Sequence, residues 1–323
     1  MISIPYTAGW HCLDEAGTAH AYLVPDGSWG LSNAGLVRGD GASLLIDTQF
    51  SLALTRDLID AAGPLLDPRP SWLAVTHGHG DHTFGAELFP EAEMIASARC
   101  VAAIEHEATP ELLQSLGTVP GDLGRYMRHA FGRFDFSGIT VRHPTTGIEA
   151  TTTLDVGGVE VRLIPLAGPA HTAGDLIVSV PERGVVFTGD LVFGGEHTLK
   201  WTPGSCDEWI SVLRGLAQDG AHTFVPGHGP VMSAADVQAY CDYLARIEEQ
   251  AAALHRAGVG YREAAMTMDL AGFDDRRSRE RLVITTAAMY AHLGTEEPTD
   301  LVSVLGETAA AWAAGADGGG RGA

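Results

Sequence analysis

The chain has 323 residues, 45% of them apolar, and a formal net charge of −21, so it holds apolar mass for one large domain or two ordinary ones. Its 41 acidic side chains against 20 basic ones exclude a phosphate-neutralising nucleic-acid surface. No run is long and apolar enough to span a membrane, and Met1-Ile2-Ser3-Ile4-Pro5-Tyr6 has neither a basic segment nor an apolar signal core, so a cytoplasmic location is expected.

Short apolar runs separated by Pro25-Asp26-Gly27 and Gly39-Asp40-Gly41 predict strands over 21–24, 34–38 and 43–47. Leu52, Leu54, Leu58 and Ile59 recur at roughly helical spacing and predict a helix over 51–62. The apolar run Trp72-Leu73-Ala74-Val75 leads straight into Thr76-His77-Gly78-His79-Gly80-Asp81-His82. A short helix over 84–89 and a strand over 93–96 are expected next. Residues 98–136 read as an irregular helical insertion broken by Pro110, Pro120 and Gly121, a candidate lid or substrate wall. A second set of strands is expected from about Gly138, including 159–164, 175–180 and 185–188. A helix over 206–217, a strand over 222–225 and helices over 234–257, 261–268 and 279–292 complete the pattern. The Ala- and Gly-rich end, with Gly318-Gly319-Gly320, is expected to fray. Two strand-rich halves with helices outside point to two sheets packed face to face. Cys12, Cys100, Cys206 and Cys241 never pair as C-x-x-C and read as free thiols.

Imidazole and carboxylate are common ligands of zinc and other first-row metals, and three histidines and an aspartate at one strand exit are hard to explain by packing. Alternation along an extended segment points His77 and His79 the same way, Gly78 and Gly80 remove bulk, and Asp81 and His82 arrive at the following bend from another direction. Such a segment can serve two ions. Three further candidates lie on turns after apolar runs: His171 in Gly168-Pro169-Ala170-His171, Asp190 in Thr188-Gly189-Asp190, and His228 in Pro226-Gly227-His228-Gly229-Pro230. Loops at strand ends are where a rigid sheet can aim such groups into one cavity.

The ordered set H-x-H-x-D-H, a His in a Gly-rich turn, T-G-D and P-G-H-G-P resembles the metallo-β-lactamase superfamily. The resemblance implies an α/β fold, an αββα sandwich of two mixed sheets flanked by helices, with a helical C-terminal appendage. It divides the chain into a catalytic domain over 1–233 (98–136 the candidate lid), the appendage over 234–294 and a tail over 295–323. It implies one divalent metal on His77, His79 and His171 and a second on Asp81, His82 and His228, with Asp190 bridging both and Asp47 supporting the ligands from behind. Zinc suits this donor set best, and iron and manganese are compatible.

Two ions about 3.5–4 Å apart can share a bridging water and lower its pKa towards neutrality. The expected activity is therefore hydrolysis, by a metal-bridging hydroxide, of an ester, thioester or lactone of a small acyl substrate, free or carrier-bound, with Asp81 or Asp190 accepting a proton. Asp190 resembles the bridging carboxylate of glyoxalase II-like members, which true β-lactamases lack. Pro25-Asp26-Gly27-Ser28-Trp29, Leu31-Ser32-Asn33-Ala34-Gly35-Leu36-Val37 and Asp81-His82-Thr83-Phe84-Gly85 look like actinobacterial members, among them aromatic polyketide second-ring cyclase/thioesterases. The alternatives are thus a cyclase/thioesterase whose metals stabilise an enolate, and a mononuclear iron oxygenase. Trp29, Phe193 and Trp201 offer an aromatic wall or plain core packing, and residues 194–209 are expected beside the pocket, with His197 a candidate for its mouth. Arg276, Arg277, Arg279 and Arg281 read as a solvated helix start. The sequence leaves the oligomeric state undetermined.

Overall fold

A computed structural model describes residues 4–273, 275–295 and 300–318; side chains are described as far as residue 315. The first sheet runs in chain order through β1 (Gly9–Cys12), β2 (Ala19–Leu23), β3 (Ala34–Arg38), β4 (Ser43–Ile46), β5 (Trp72–Ala74), β6 (Glu93–Ser97) and β7 (Thr146–Ile148). Pairing is antiparallel from β1 to β4 and parallel from β4 to β7. The second sheet holds β8 (Thr152–Val156), β9 (Val159–Pro165), β10 (Leu176–Val180), β11 (Val185–Phe193), β12 (Thr223–His228) and β13 (Met232–Ser233) in the same order. In it only β11 and β12 pair in parallel.

Side-chain alternation explains why the two sheets stack. In β4, Leu44 and Ile46 join the core between the sheets while Leu45 faces the outer helices. In β10 and β11, Leu176, Val178, Val180, Val185 and Phe187 point inward, whereas Ile177 and Val186 meet the helices on the other side. Phe187 is 2% exposed, and its ring lies over Gly35, where a Cβ would fall 2.3 Å from it. Glycine is therefore required at that close approach of the sheets. Phe187→Ala is expected to cost about 3–5 kcal/mol of unfolding free energy, read from urea denaturation, because the cavity left between two rigid sheets cannot collapse.

The first sheet is covered by α1 (Leu52–Ala62), capped by Ser51, and by α3 (Ala98–Ala103); α2 (Gly80–Thr83) is one turn inside the histidine motif. α4 (Pro110–Leu116) and α5 (Gly121–Phe131) form the insertion. α6 (Asp207–Gln218), α7 (Ala234–Arg256), α8 (Tyr261–Thr267) and α9 (Leu282–His292) pack on the second sheet around Trp209, Tyr240 and Leu244. α10 (Leu301–Gly318) stands where fraying was expected. Leu305, Ala309 and Ala313 are buried, and Trp312 stacks on His129 at 5.0 Å and meets Tyr126 at 5.6 Å. An alanine-rich segment has high helix propensity, and this one also finds an apolar partner in α5. Residues 319–323, and so the end of the glycine run, lie outside the described residues.

Other departures are local. The helix expected over 84–89 is replaced by α2 and a single 3-10 turn at Ala86–Leu88. No strand begins near Gly138; β7, at 146–148, extends the edge of the first sheet, and the second sheet starts at Thr152. Among the described residues no helix is long and apolar enough to cross a membrane.

Candidate metal centre

The C-terminal ends of β4, β5, β11 and β12 lie at one edge of the sandwich, and the loops leaving them supply most of the polar side chains found there. Asp47 follows β4 with φ 58°, a left-handed conformation unusual outside glycine. Its carboxylate accepts from the backbone N–H of Thr76 at 2.8 Å and from the Thr76 hydroxyl at 2.7 Å, which fixes where the histidine motif starts. Asp190 sits in β11 between Gly189 and Phe193, where the register against β12 slips. Such irregularities re-aim a side chain out of the ladder, and Asp190 is turned towards the histidines. Asn33 ties the sheets together beside the site by donating to Pro226 O at 2.9 Å and Gly229 O at 2.8 Å.

The seven residues singled out in the sequence converge. Donor atoms of His77, His79, His171 and Asp190 lie within 4.8 Å of one another, and those of Asp81, His82 and His228 form a second such group. Nδ1 of His79 stands 3.1 Å from His77 Nε2 and 3.0 Å from His171 Nε2. The Asp190 carboxylate lies between the groups, with Oδ1 3.2 Å from His82 Nε2 and Oδ2 3.3 Å from His171 Nε2 and 3.5 Å from His228 Nε2. Asp81 Oδ2 is 3.2 Å from His228 Nε2.

The outer ring nitrogens are tied off. Nδ1 of His171 donates to Leu199 O at 2.8 Å, that of His228 to Leu31 O at 3.0 Å, and that of His82 to Asp47 Oδ2 at 2.9 Å. His77 Nδ1 is 3.1 Å from the Thr76 hydroxyl, whose own proton goes to Asp47. These bonds fix N–H on the outer nitrogen, so that the inner nitrogen is the one a metal would bind, once His82 and His228 give up their second proton. His79 presents its other nitrogen to Glu107 Oε2 at 3.6 Å.

A cation fits this arrangement. His82 Nε2 and Asp190 Oδ1 are buried and face each other at 3.2 Å without good hydrogen-bond geometry to any partner, leaving an ion pair that a metal between them would satisfy better. Burial, with His82 nearby, pushes His77 well below the usual histidine range, and burial takes His171 down to about 3, so both are neutral. Burial also disfavours charge on His228, but Asp190 and Asp81 outweigh it and hold that ring up at about 9. His82 is raised well above its ordinary value by Asp190, Asp47 and Asp81 against the same desolvation. Asp81, which burial would raise, is held down at about 2 by His82 and His228. In the metal-free protein, protons on His82 and His228 balance the two carboxylates. A set of five imidazoles and two carboxylates matches zinc, iron or manganese.

Two supporting residues carried no spacing signal. Glu107 belongs to the insertion and reaches His79 only through the fold. Asp175, raised to about 6 by burial, accepts from Thr172 N–H at 3.0 Å and the Thr172 hydroxyl at 2.9 Å and so shapes the turn bearing His171. Gly227 is required for another reason: a Cβ there would fall 1.8 Å from Asp190 Oδ1. Gly227→Ala is expected to push the carboxylate aside and lower bound metal and turnover by about 10–100-fold, the scale seen when a ligand loses its support, with elemental analysis as the readout.

A cavity of about 560 Å³ opens onto His79, Asp81, Asp190 and His228. Trp29, Phe193 and Trp201 all line it; the insertion contributes Leu113 and Phe131, and α10 contributes Leu301 and Leu305. Two expectations fail. His197 is buried with Nδ1 2.7 Å from the Tyr243 hydroxyl and is absent from the cavity wall. The arginine cluster is not uniformly solvated: Arg277 is exposed, but Arg281 is 1% exposed and lines the cavity.

A family model described as the metallo-beta-lactamase superfamily matches residues 27–228. The acyl-coenzyme A thioesterase MBLAC2 of Gallus gallus is 28% identical over 214 residues, 61% of this chain and 72% of the relative. The atrochrysone carboxyl ACP thioesterase AacuM of Aspergillus aculeatus is 26% identical over 189 residues, 58% of this chain and 47% of the relative. Among solved structures, the sec-alkylsulfatase Pisa1 from Pseudomonas sp. superposes with TM-score 0.64 at 18% identity, covering 89% of this chain, which spans 50% of that enzyme's length. A metallo-beta-lactamase from Pontibacter korlensis gives TM-score 0.50 at 18% identity, covering 73% of this chain and 99% of its own. At such identities these two likenesses concern the fold.

Proposed function

The chain belongs to the metallo-beta-lactamase superfamily, and from that premise we propose that it is a dinuclear metal-dependent hydrolase that cleaves acyl thioesters. The observation that carries the metal chemistry is the convergence of the seven donors, four of which (His79, Asp81, Asp190 and His228) line a largely apolar cavity. The thioester assignment draws on the names of the sequence relatives, two thioesterases of different acyl carriers, coenzyme A and an acyl carrier protein.

In this reading His77, His79 and His171 would hold one ion and Asp81, His82 and His228 the other, with the Asp190 carboxylate placed between the two groups. When bound, the ions supply Lewis acidity that activates water and polarises the acyl carbonyl. The remaining work belongs to the chain. Thr76, Asp47, Leu199 and Leu31 fix the imidazoles so that no reorganisation is needed at the moment of reaction. Asp81, the more accessible of the two carboxylates at 14% exposure, takes the proton that water loses and returns it to the departing sulfur. Overall one water is consumed: its oxygen forms the new C–O bond, the C–S bond breaks, and an acid and a thiol leave. Trp29, Phe50, Phe131, Phe193 and Trp201 hold the acyl group and keep bulk water out, which strengthens each electrostatic contact inside. His82 and His228 complete a second group of donors, an arrangement that favours hydrolysis over mononuclear oxygenase chemistry.

Elemental analysis of the purified protein, joined to a panel of acyl-coenzyme A, carrier-bound and simple thioesters, esters, lactones and a cephalosporin, tests the proposal. The expected result is close to two metals per chain, thioester turnover well above the rest, loss on chelation and recovery with zinc. Undiminished turnover after exhaustive chelation would overturn the metal mechanism, and a metal-loaded protein inert to every thioester would overturn the substrate class.

A further inference from the structure

One wall of the cavity carries a buried cation whose hydrogen-bond donors are only partly used. Arg281, at the start of α9, is 1% exposed and lines the cavity, yet its Nε and Nη1 have no hydrogen-bond partner. Its guanidinium lies 4.4 Å from the Trp29 ring and 5.8 Å from that of Phe193, and Phe193 in turn stacks on His228 at 5.6 Å. A single aromatic ring thus bridges the cation to an imidazole of the candidate metal centre. Two acidic groups lie near it: Glu196, whose buried and otherwise unpartnered Oε2 is 4.0 Å from Nε, close enough to pair in charge but beyond hydrogen-bond reach, and Glu280, which feels the arginine's charge while accepting from the Tyr126 hydroxyl at 3.3 Å. Glu196 is already engaged through its other oxygen by Arg277 at 2.7 Å. Arg276 adds further positive charge beside it, donating to the carbonyls of Phe193 and Glu196. Burying a guanidinium without satisfying its N–H groups is expensive, and stacking on rings compensates only part of that cost.

We propose that Arg281 is the specificity-determining residue of the pocket and that it binds a carboxylate on the acyl part of the substrate. A guanidinium presents a rigid planar fork of donors that matches the two oxygens of a carboxylate. Its place in the cavity wall, with Phe193 between it and the metal centre, puts the anion within the acyl group, while the aromatic walls hold the apolar body between the two ends. The preferred substrates are therefore monothioesters of dicarboxylic acids, an inference that rests on the thioesterase reading. The phosphates of a coenzyme A or carrier leaving group are the other source of negative charge, and a thioester without phosphate separates the two.

The test uses the full-length protein as purified and the N-acetylcysteamine thioesters of glutaric acid and of its monomethyl ester. The expected kcat/KM ratio favours the free carboxylate by about tenfold to a hundredfold, the worth of one charge-assisted contact, and falls towards one in Arg281→Gln. A ratio near one in the parent protein overturns the inference and leaves the hydrolase reading standing. An unchanged ratio in a folded Arg281→Gln also overturns it, since it makes the arginine merely structural. If neither thioester is turned over, the thioesterase reading falls, and binding decides the fate of Arg281. Calorimetry with 3-phenylpropionate against 3-phenylpropanamide is then expected to show at least about tenfold tighter binding of the acid, lost in Arg281→Gln. Equal affinities overturn the proposal, and retention by the variant assigns the carboxylate to the metals and overturns it too. Should Arg281→Gln not fold, Arg281→Lys keeps the charge without the fork and is expected to lose most of the selectivity; full retention there overturns the bidentate contact.

Discussion

Asp190→Asn is expected to abolish measurable thioester turnover while leaving the fold in place. The carboxylate lies within 3.5 Å of Nε2 of His82, His171 and His228, three nitrogens whose outer partners are oxygens. An amide has nearly the same shape, so the register slip in β11 and the packing around it persist. What changes is charge: the buried site loses one negative oxygen, and an NH₂ group faces either imidazole lone pairs or a cation. Loss of a residue that merely orients a ligand costs about 10–100-fold, and loss of the group between the two donor sets exceeds that. Turnover, elemental analysis and circular dichroism are measured together. A variant with full metal content and turnover within threefold of the parent would remove Asp190 from the mechanism.

The second large effect concerns pH and metal together. In the metal-free protein Asp190 and Asp81 hold His228 protonated up to about 9 against the desolvation of its site, while a metal needs the neutral ring. Below that pH, binding at this position expels a proton. Zinc affinity is accordingly expected to rise by about one log unit per pH unit for each proton expelled, with the contribution of His228 levelling off above about pH 9. The linked stability has the opposite sign. A histidine raised in the folded state contributes stability below its unfolded value of about 6.5 and loses it as pH climbs through the folded value. Metal-free protein therefore weakens between about pH 6.5 and 9, the same window in which metal binds more tightly. At a free metal concentration a thousandfold above Kd the added stability is about 4 kcal/mol, so the separation between metal-loaded and chelated melting curves should widen with pH. Thermal unfolding in metal-buffered solution from pH 6 to 9 provides the check, and a separation that narrows as pH rises contradicts the scheme.

Most of the site could be read from the chain because its residues sit in short motifs at strand ends. His77, His79, Asp81 and His82 are close in sequence, and the turns bearing His171, Asp190 and His228 announce themselves by glycine and proline after apolar runs. Strand positions followed from alternation, as in Leu44, Leu45 and Ile46, where the side chain destined for each face is set by a period of two. The C-terminal helix was harder. Residues 301–318 look like low-complexity tail, and it takes tertiary packing against α5, where Tyr126 and His129 receive Trp312, and against α8 and α9, to give the segment its partners. Glu107 and Asp175 were invisible because their roles depend on distances to His79 and Thr172 that no local spacing encodes.

The arginine cluster marks the boundary between the two kinds of information. Residues 276–281 read as a charged, solvated helix start, and for Arg277 the structure agrees. Arg281 is instead enclosed by Trp29 and Phe193, residues far away in the chain. Alternation and the short motifs, with the family resemblance those motifs carry, were enough to point to the sandwich, its family and the candidate donors at its edge, because strands follow local periodicity and the donors sit in short motifs. Which side chains share the cavity with those donors was decided by tertiary packing, since burial of a charge is a property of what surrounds it and not of the residues beside it in sequence.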